Sequence, residues 1–195
     1  MMSVAMVPPT KQALKEWAVA INALTQGKTI MLLRKGGIRE QNKSFQVPYH
    51  QVILYPTYEH QKPQLLKPEY ADKVTPVTPG WHPETVPIRS WAEITDILPL
   101  HQTYLIEKLF PYHIWNQQFV QERCQWKPKQ PLHILLLQVY SLPQPQIIPF
   151  HQSYGGCRSW FELQQGISLE GMMPVLTEKE YKQKVNFIKE IIEIN

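Results

Sequence analysis

The distribution of proline constrains the fold of this chain more than any other feature of its sequence. Fifteen of the eighteen prolines lie between Pro48 and Pro149, and only Pro8, Pro9 and Pro174 lie outside this range. Because proline lacks a backbone N–H and its ring clashes with the preceding helical turn, long helices are disfavoured in the middle of the chain. The sequence therefore predicts helices at the two ends and strands between them.

Both terminal segments carry apolar residues at helical spacing. Residues 10–26 predict an amphipathic helix that ends at Gly27. Residues 177–194 predict a second helix, because Thr177 and Glu180 have the spacing of a capping box, in which each satisfies a backbone donor of the other. These two helices are expected to brace a central sheet.

Short apolar and β-branched runs predict the strands of that sheet. The longest, residues 132–142, is apolar on both faces and is therefore expected at the centre. A proline-rich connection spans residues 62–87. We expect one α+β domain over residues 1–195, with its sheet core at 28–165, a mixed or antiparallel sheet, and a shape compatible with a small PUA-like β-barrel. The sequence also predicts strands at residues 29–33 and 88–98, and one interrupted strand or two short strands at 45–47 and 51–55.

Composition excludes several classes of protein. Hydrophobic residues make up 43% of the chain and charged residues 18%, which is typical of a folded globular domain. No apolar run approaches the roughly 18 residues that cross a bilayer, and the N-terminus lacks the features of a secretory signal, so we expect a cytoplasmic protein. The two cysteines and seven histidines show no metal-ligand spacing, so no metal or other cofactor is expected.

Positive charge is concentrated near the front of the chain. The net charge is +4, and residues 1–50 hold seven basic and two acidic residues. Such a concentration attracts polyanions through long-range forces and counterion release. A solvated basic surface would give the same pattern.

The first candidate site is LLRKGGIRE, where a predicted strand runs into two glycines flanked by cations. Glycines let the backbone approach a phosphate, and Arg34, Lys35 and Arg39 could add charge-assisted hydrogen bonds. The segment matches no nucleotide-binding motif, and a hairpin turn at Gly36-Gly37 is the competing interpretation.

The second candidate is YPTYEHQ, at the end of a predicted strand. If the strand continues, Tyr58 and His60 point to one face and Glu59 to the other, because side chains alternate along a strand. This alternation favours a recognition surface of Tyr58 and His60 over a catalytic pair of Glu59 and His60.

The third candidate is YGGCRSW, which combines two glycines with aromatic residues and a cation. Tyr154 and Trp160 could stack on the bases of single-stranded nucleic acid while Arg158 contacts phosphate. Cys157 could act as a nucleophile with His151 as the local base. A plain turn before a helix that begins at Ser159 explains the same residues.

These three segments predict a protein that binds RNA, DNA or a nucleotide-like anion. A hydrolase or transferase that uses Glu59, His60 and Cys157 is an alternative, and a protein-interaction module with exposed aromatic residues is another. The residues do not decide between an enzyme and a binding module.

Five segments together resemble a bacterial family, common in cyanobacteria, that carries the label domain of unknown function eighteen-oh-two. They are ALKEWAVAINAL, LLRKGGIRE, ILYPTYEHQ, RCQWKPKQPLHILLLQVYSLPQP and YGGCRSW. The resemblance covers nearly the whole chain and implies no activity. The order of strands and helices also resembles that of small barrels of the PUA and ASCH type. Those barrels commonly bind RNA or modified bases, so this second resemblance implies a nucleic-acid ligand.

Overall fold

The structure is a computed structural model that describes residues 8–35 and 45–193. Its strands are β1 (Thr10–Trp17), β2 (Met31–Arg34), β3 (Gln51–Thr57), β4 (Thr85–Leu100), β5 (Leu132–Pro149), β6 (Trp160–Ile167) and β7 (Met173–Pro174). Its helices are α1 (Ala18–Thr25), α2 (Pro68–Ala71), α3 (Thr103–Lys108), α4 (Gln117–Gln125) and α5 (Glu178–Glu193). Single-turn 3₁₀ helices at Pro63–Leu65, Phe110–Tyr112 and Gln152–Tyr154 lie in the connections.

All seven strands belong to one mixed sheet. The order is β2-β5-β4-β3-β1-β6, and β7 pairs with β5 beside this path. Strands β1 and β3 are parallel, and the other pairs are antiparallel. The predicted α+β class with a mixed sheet is therefore confirmed. Within the described residues, β2 and β6 lie at the two edges of the sheet and do not pair with each other. The described strands therefore form an open sheet and not the closed barrel that the sequence allowed.

The sheet separates two hydrophobic cores, one on each face. Leu14 and Leu54 are neighbours on the face covered by the helices, which holds the larger core. Ala13 and Ile53 are neighbours on the opposite face, where the smaller core also includes Tyr154. Side chains one position apart on a strand thus serve different cores, which is possible because successive side chains alternate across the sheet.

The predicted N-terminal helix over 10–26 is wrong in its first half, which is strand β1. Ala13 and Leu14 are both fully buried, on opposite faces of the sheet. Burying one leucine contributes about 1.5–3 kcal/mol. Differences in helix propensity between ordinary residues reach only about 0.7 kcal/mol per residue, so pairing with β3 and β6 overrides the local preference. Only Ala18–Thr25 is helical, and Gly27, at φ +65, follows its end as predicted.

A second correction concerns the start of a helix expected at Ser159, because the chain there enters strand β6. Phe161 and Leu163 are buried with an exposed residue between them, which is the alternation of a half-buried strand. Phe161 pairs with Ala13 of β1. The sequence favoured a helix because Ser159 can cap one. The alternation of buried and exposed residues in β6 covers too few positions to be recognised against that signal.

Two local predictions are confirmed. Strand β5 lies between β2 and β4, in the interior of the sheet, as its two apolar faces predicted. The capping box of α5 is present: the Thr177 backbone N–H donates to Glu180 Oε2 at 2.8 Å, and the Glu180 N–H donates to Thr177 Oγ1 at 3.3 Å. Among the helices that the structure describes, none is both long enough and apolar enough to cross a bilayer.

Candidate nucleic-acid interface

Two of the three candidate segments meet where the parallel strands β1 and β3 end. Trp17 and Thr57 are paired at this end, so residues 58–60 emerge directly beside the end of β1. Strand β6 runs antiparallel to β1 and pairs Trp160 with Leu14, so the loop 154–159 also lies next to the last residues of β1. We call this region the β1–β3 end and define it by Lys15, Tyr58, His60, Trp81 and Arg158.

Lys15 fastens the loop 154–159 to β1. Its Nζ donates to the carbonyl oxygens of Tyr154 at 2.5 Å and Gly156 at 2.8 Å, and its backbone N–H donates to Ser159 O at 2.7 Å. Burial lowers the pKa of Lys15, the Glu59 carboxylate opposes this shift, and Arg158 adds to it. Lys15 therefore lies within electrostatic range of both candidate segments, although no sequence pattern had singled it out.

An exposed aromatic pair lies at the β1–β3 end. The Trp81 side chain is 44% exposed, and its ring meets the ring of half-buried Tyr58 edge to face, with centroids 6.2 Å apart. The Gly80 backbone N–H donates to Glu59 Oε1 at 2.6 Å. Glu59 thus anchors the loop that carries Trp81, which holds the aromatic pair beside the end of β3.

A stacked pair of rings extends this aromatic surface. The ring of exposed His82 lies parallel to that of Phe150, with centroids 3.6 Å apart and an interplanar angle of 11°. The Phe150 backbone N–H donates to Glu84 O at 2.8 Å, which joins the two segments. Neither Trp81 nor His82 was predicted, because both lie in the proline-rich connection 62–87 and carry no further sequence signal.

His60 has a different setting from the one that strand alternation predicted. Strand β3 ends at Thr57, and His60 has a left-handed backbone with φ +60, so alternation does not extend to it. Its side chain is 66% exposed, and Nε2 lies 3.8 Å from Glu59 Oε1. This separation is too long for a hydrogen bond, so His60 and Glu59 are not aligned for proton transfer in this conformation.

Arg158 is exposed in the loop before β6, whereas the two aromatic residues predicted to act with it are buried or half-buried. Trp160 is half-buried and packs against the helix-side core. Tyr154 is 3% exposed, its ring packs on Tyr55 and Phe161, and its Oη accepts the Gln164 N–H at 2.8 Å. The predicted stacking role of Tyr154 is therefore corrected to a core position.

Arg34 also differs from its predicted role as a phosphate contact. Its Nη2 lies 2.9 Å from Glu16 Oε2 and donates to Lys15 O at 2.9 Å, while Nη1 donates to Ser159 Oγ at 3.1 Å. The Glu16 residue is only 8% exposed. Arg34 thus ties β2 to β1 and to the loop before β6, and much of its hydrogen-bonding capacity is used inside the protein.

Lys35 serves the end of a helix. It is 9% exposed, and its Nζ donates to the carbonyl oxygens of Arg123 at 2.8 Å and Cys124 at 3.2 Å in the last turn of α4. A cation here is favourable because the carboxyl end of a helix carries partial negative charge. The predicted phosphate contact of Lys35 is therefore corrected to a helix cap. Arg39 and Gly36-Gly37 lie outside the described residues.

The predicted local base, His151, makes a contact with its neighbour Ser153. Cys157 is exposed, and Nδ1 of His151, its predicted local base, lies 2.7 Å from Ser153 Oγ. Among residues 8–35 and 45–193, no group of three or more histidine, cysteine or acidic side chains could hold a metal ion.

A groove of about 570 Å³ lies away from the β1–β3 end, between α5 and strands β4 and β5. Its lining includes Thr95 and Tyr181, whose hydroxyl oxygens are 2.6 Å apart. The same Thr95 hydroxyl donates to Asp96 Oδ2 at 2.6 Å, and Asp96 pairs with Lys189. These polar groups satisfy one another.

The family model described as Domain of unknown function (DUF1802) matches residues 13–186, so the chain belongs to that family. The family membership predicted from the sequence is thereby confirmed. No curated protein matches the chain.

Solved structures similar to this chain include the ASCH protein of Zymomonas mobilis. That match has 13% identity and a TM-score of 0.47, and covers 91% of this chain and 94% of that one. A tyrosine-to-phenylalanine variant of the same protein has 12% identity and a TM-score of 0.47, with 91% and 97% covered. A serine-to-alanine variant has 14% identity and a TM-score of 0.45, with 93% and 99% covered. These values are too low for a functional conclusion.

Proposed function

We propose that the protein binds single-stranded RNA or DNA, or a nucleotide-like anion, at the β1–β3 end. The observation that carries this proposal is the exposed Trp81 ring, held edge to face on Tyr58, at the same end of the sheet as the loop that carries the exposed cation Arg158. Aromatic rings that stack on bases and cations that meet the backbone are the two components of single-strand binding.

The aromatic component is fixed before any ligand arrives. Glu59 accepts the Gly80 N–H at 2.6 Å, which restrains the loop that carries Trp81. A ring restrained in this way loses less conformational entropy when a base stacks on it. Trp81, with Tyr58 behind it, is therefore the residue that we expect to contact a base.

The cationic component comes from Arg158, with Lys15 in support. Lys15 Nζ already donates to two carbonyl oxygens of the loop, so its role is to position Arg158 and to add positive potential. Arg158 is exposed, and its guanidinium can bind a phosphate oxygen with two N–H groups. The proposed ligand contacts are thus Tyr58, His60, Trp81 and Arg158.

Fluorescence anisotropy of a labelled single strand of about ten nucleotides tests this proposal, since such a strand fits the usual site sizes. Stacking of one base contributes about 1–3 kcal/mol, so Trp81→Ala should weaken binding by about 5-fold to 150-fold. Arg158→Gln should reduce the slope of log affinity against log salt by about 0.7, the value for one phosphate contact on a single strand.

Lys179→Gln is the matched control, because it removes one exposed cation from α5 rather than from the β1–β3 end. We expect this variant to bind with the affinity and salt slope of the unmodified protein. The proposal fails if the unmodified protein binds neither RNA, nor DNA, nor a mononucleotide at low salt. It also fails if Lys179→Gln and Arg158→Gln lose the same affinity.

A hydrolase or transferase based on Glu59, His60 and Cys157 has less support. Glu59 Oε1 accepts the Gly80 N–H and lies 3.8 Å from His60 Nε2, so it acts on the loop more strongly than on the imidazole. That alternative predicts that His60→Ala abolishes turnover of a substrate while folding stays intact. A protein-interaction module remains the third alternative, and it predicts binding that depends little on salt.

A further inference from the structure

The stacked rings of His82 and Phe150 have no role among the proposed ligand contacts. The two rings are nearly parallel, with an interplanar angle of 11°, and their centroids are 3.6 Å apart. At this spacing Phe150 is in van der Waals contact with one face of the imidazole. His82 is nevertheless exposed, so the opposite face of its ring meets solvent. We call His82 and Phe150 the His–Phe stack.

The His–Phe stack is held in place by the protein. The Phe150 backbone N–H donates to Glu84 O at 2.8 Å, which joins the segment after β5 to the segment before β4. The Phe150 ring also packs against the smaller core. Nδ1 of His82 lies 3.3 Å from Pro83 O. The imidazole is therefore supported from behind before any ligand arrives.

The His–Phe stack is the immediate neighbour of Trp81 along the chain. Trp81 and His82 are consecutive, so their Cα atoms are about 3.8 Å apart. The Trp81 backbone N–H donates to Thr78 O at 3.0 Å, and the preceding Gly80 N–H donates to Glu59 Oε1 at 2.6 Å. Two exposed rings thus leave adjacent positions of one restrained segment.

Contacts also connect the His–Phe stack to the loop that carries Arg158. The Phe150 ring meets the Tyr154 ring edge to face, with centroids 6.4 Å apart. Tyr154 is the first residue of the loop 154–159, and Lys15 Nζ donates to its carbonyl oxygen at 2.5 Å. The second exposed ring and the exposed cation therefore lie on segments that contact each other.

We propose that the ligand is a single strand rather than a free nucleotide, and that two successive bases stack at once, one on Trp81 and one on His82. A free nucleotide has one base and can use only one of these rings, whereas a strand can place successive bases on successive aromatic side chains. Every base has a π-face, so this arrangement favours a strand without selecting its sequence. The inference rests on the proposed function and names the class of ligand for that site.

Competition against the labelled strand of about ten nucleotides tests this inference. The competitors are an unlabelled mononucleotide, a dinucleotide, and a dinucleotide in which one nucleotide is abasic. The second base should increase the affinity of the dinucleotide over the mononucleotide by about 5-fold to 150-fold. The abasic dinucleotide has the same number of phosphates, so its weaker binding separates stacking from charge.

His82→Ala should remove the gain that the second base provides. The affinity of the mononucleotide should change by less than about twofold, because Trp81 is still present. Trp81→Ala should weaken the binding of both ligands. His82→Phe keeps an aromatic ring and should keep the gain. Because His82 is exposed, neither of its replacements is expected to prevent folding.

His101→Ala is the matched control. His82 and His101 are both exposed, but His82 precedes the start of β4 at Thr85 and His101 follows its end at Leu100. We expect His101→Ala to keep the full gain from the second base.

Three results would overturn the two-base inference while leaving the proposed function intact. They are equal affinities of the mononucleotide and the dinucleotide, equal affinities of the abasic and the intact dinucleotide, and a full gain in His82→Ala. A loss of the gain in His101→Ala equal to that in His82→Ala would also overturn the inference. If the labelled strand and all the competitors fail to bind, the proposed function itself is wrong.

Discussion

The internal ion pair of Glu16 and Arg34 predicts a large loss of stability when Glu16 is replaced by alanine. The two side chains are 9% and 18% exposed, and Glu16 Oε2 lies 2.9 Å from Arg34 Nη2. The other oxygen, Oε1, accepts the Trp17 backbone N–H at 2.7 Å. Glu16→Ala therefore leaves a partly buried guanidinium and a backbone donor without their partner.

The size of this loss follows from burial. Removing one partner of a fully buried pair costs about 3–5 kcal/mol, because the other charge is left uncompensated. Arg34 keeps some contact with water, which lowers that figure, and the lost acceptor for Trp17 adds about 1–3 kcal/mol. These two corrections oppose each other, so we expect Glu16→Ala to reduce the free energy of unfolding by about 3–5 kcal/mol.

Urea unfolding of Glu16→Ala, Arg34→Ala and the double variant measures this effect. The double variant should lose about 1–3 kcal/mol less than the sum of the single variants, because the second substitution removes a charge that the first had already left unpaired. Arg158→Gln, at an exposed position, should change stability by less than about 0.5 kcal/mol. Strict additivity, or a loss below about 0.5 kcal/mol in Glu16→Ala, would refute the structural role of Arg34.

Two further predictions concern buried aromatic groups. Burial, and then the charge of Lys67, lower the pKa of His113 to about 4, so the stability that its neutral form provides above its ordinary pKa of 6.5 is lost as the pH falls towards 4. In the unmodified protein the free energy of unfolding should be lower at about pH 5 than at about pH 7, and His113→Leu should make this difference smaller by about 2 kcal/mol. If His113→Leu leaves the difference unchanged, His113 is not its source. Tyr154→Phe leaves the Gln164 N–H without its acceptor, so urea unfolding should show that the free energy of unfolding falls by about 1–3 kcal/mol. The anisotropy assay should show unchanged affinity for the labelled single strand. Reduced affinity would instead mean that Tyr154 contacts the ligand.

The sequence predicted those elements whose signals are local. Strand β5 is apolar on both faces, and α5 begins with a capping box, so each carries its own evidence within a few residues. Strands β1 and β6 carry weaker local signals. Strand β1 pairs with both β3 and β6, and β6 pairs with β1, so pairing between distant segments decides their structure.

The candidate site was predictable in part for a similar reason. The sequence identified the segments that hold Tyr58, His60 and Arg158, because unusual combinations of aromatic residues, glycines and cations are visible in one dimension. It could not show that Arg34 and Lys35 find internal partners, since Glu16 and the end of α4 are distant in sequence.

Two contributors to the site could not be recognised at all from the sequence. The exposure of Trp81 depends on the anchoring of its loop by Glu59, a contact that spans 21 residues. The contribution of Lys15 depends on a loop that lies 139 residues further along the chain. Neither a tryptophan in a proline-rich connection nor a lysine in an amphipathic segment indicates a binding site by itself. Their importance follows only from the fold, which brings these segments together.

A two-dimensional NMR titration with a single-stranded RNA of about six nucleotides tests the central claim most directly. We predict that the largest shifts in backbone amide signals occur in residues 58–60, 80–82 and 157–159, and that Arg158→Gln reduces them. Shifts concentrated in the groove between α5 and strands β4 and β5, or no shifts at low salt, would contradict the assignment of ligand binding to the β1–β3 end.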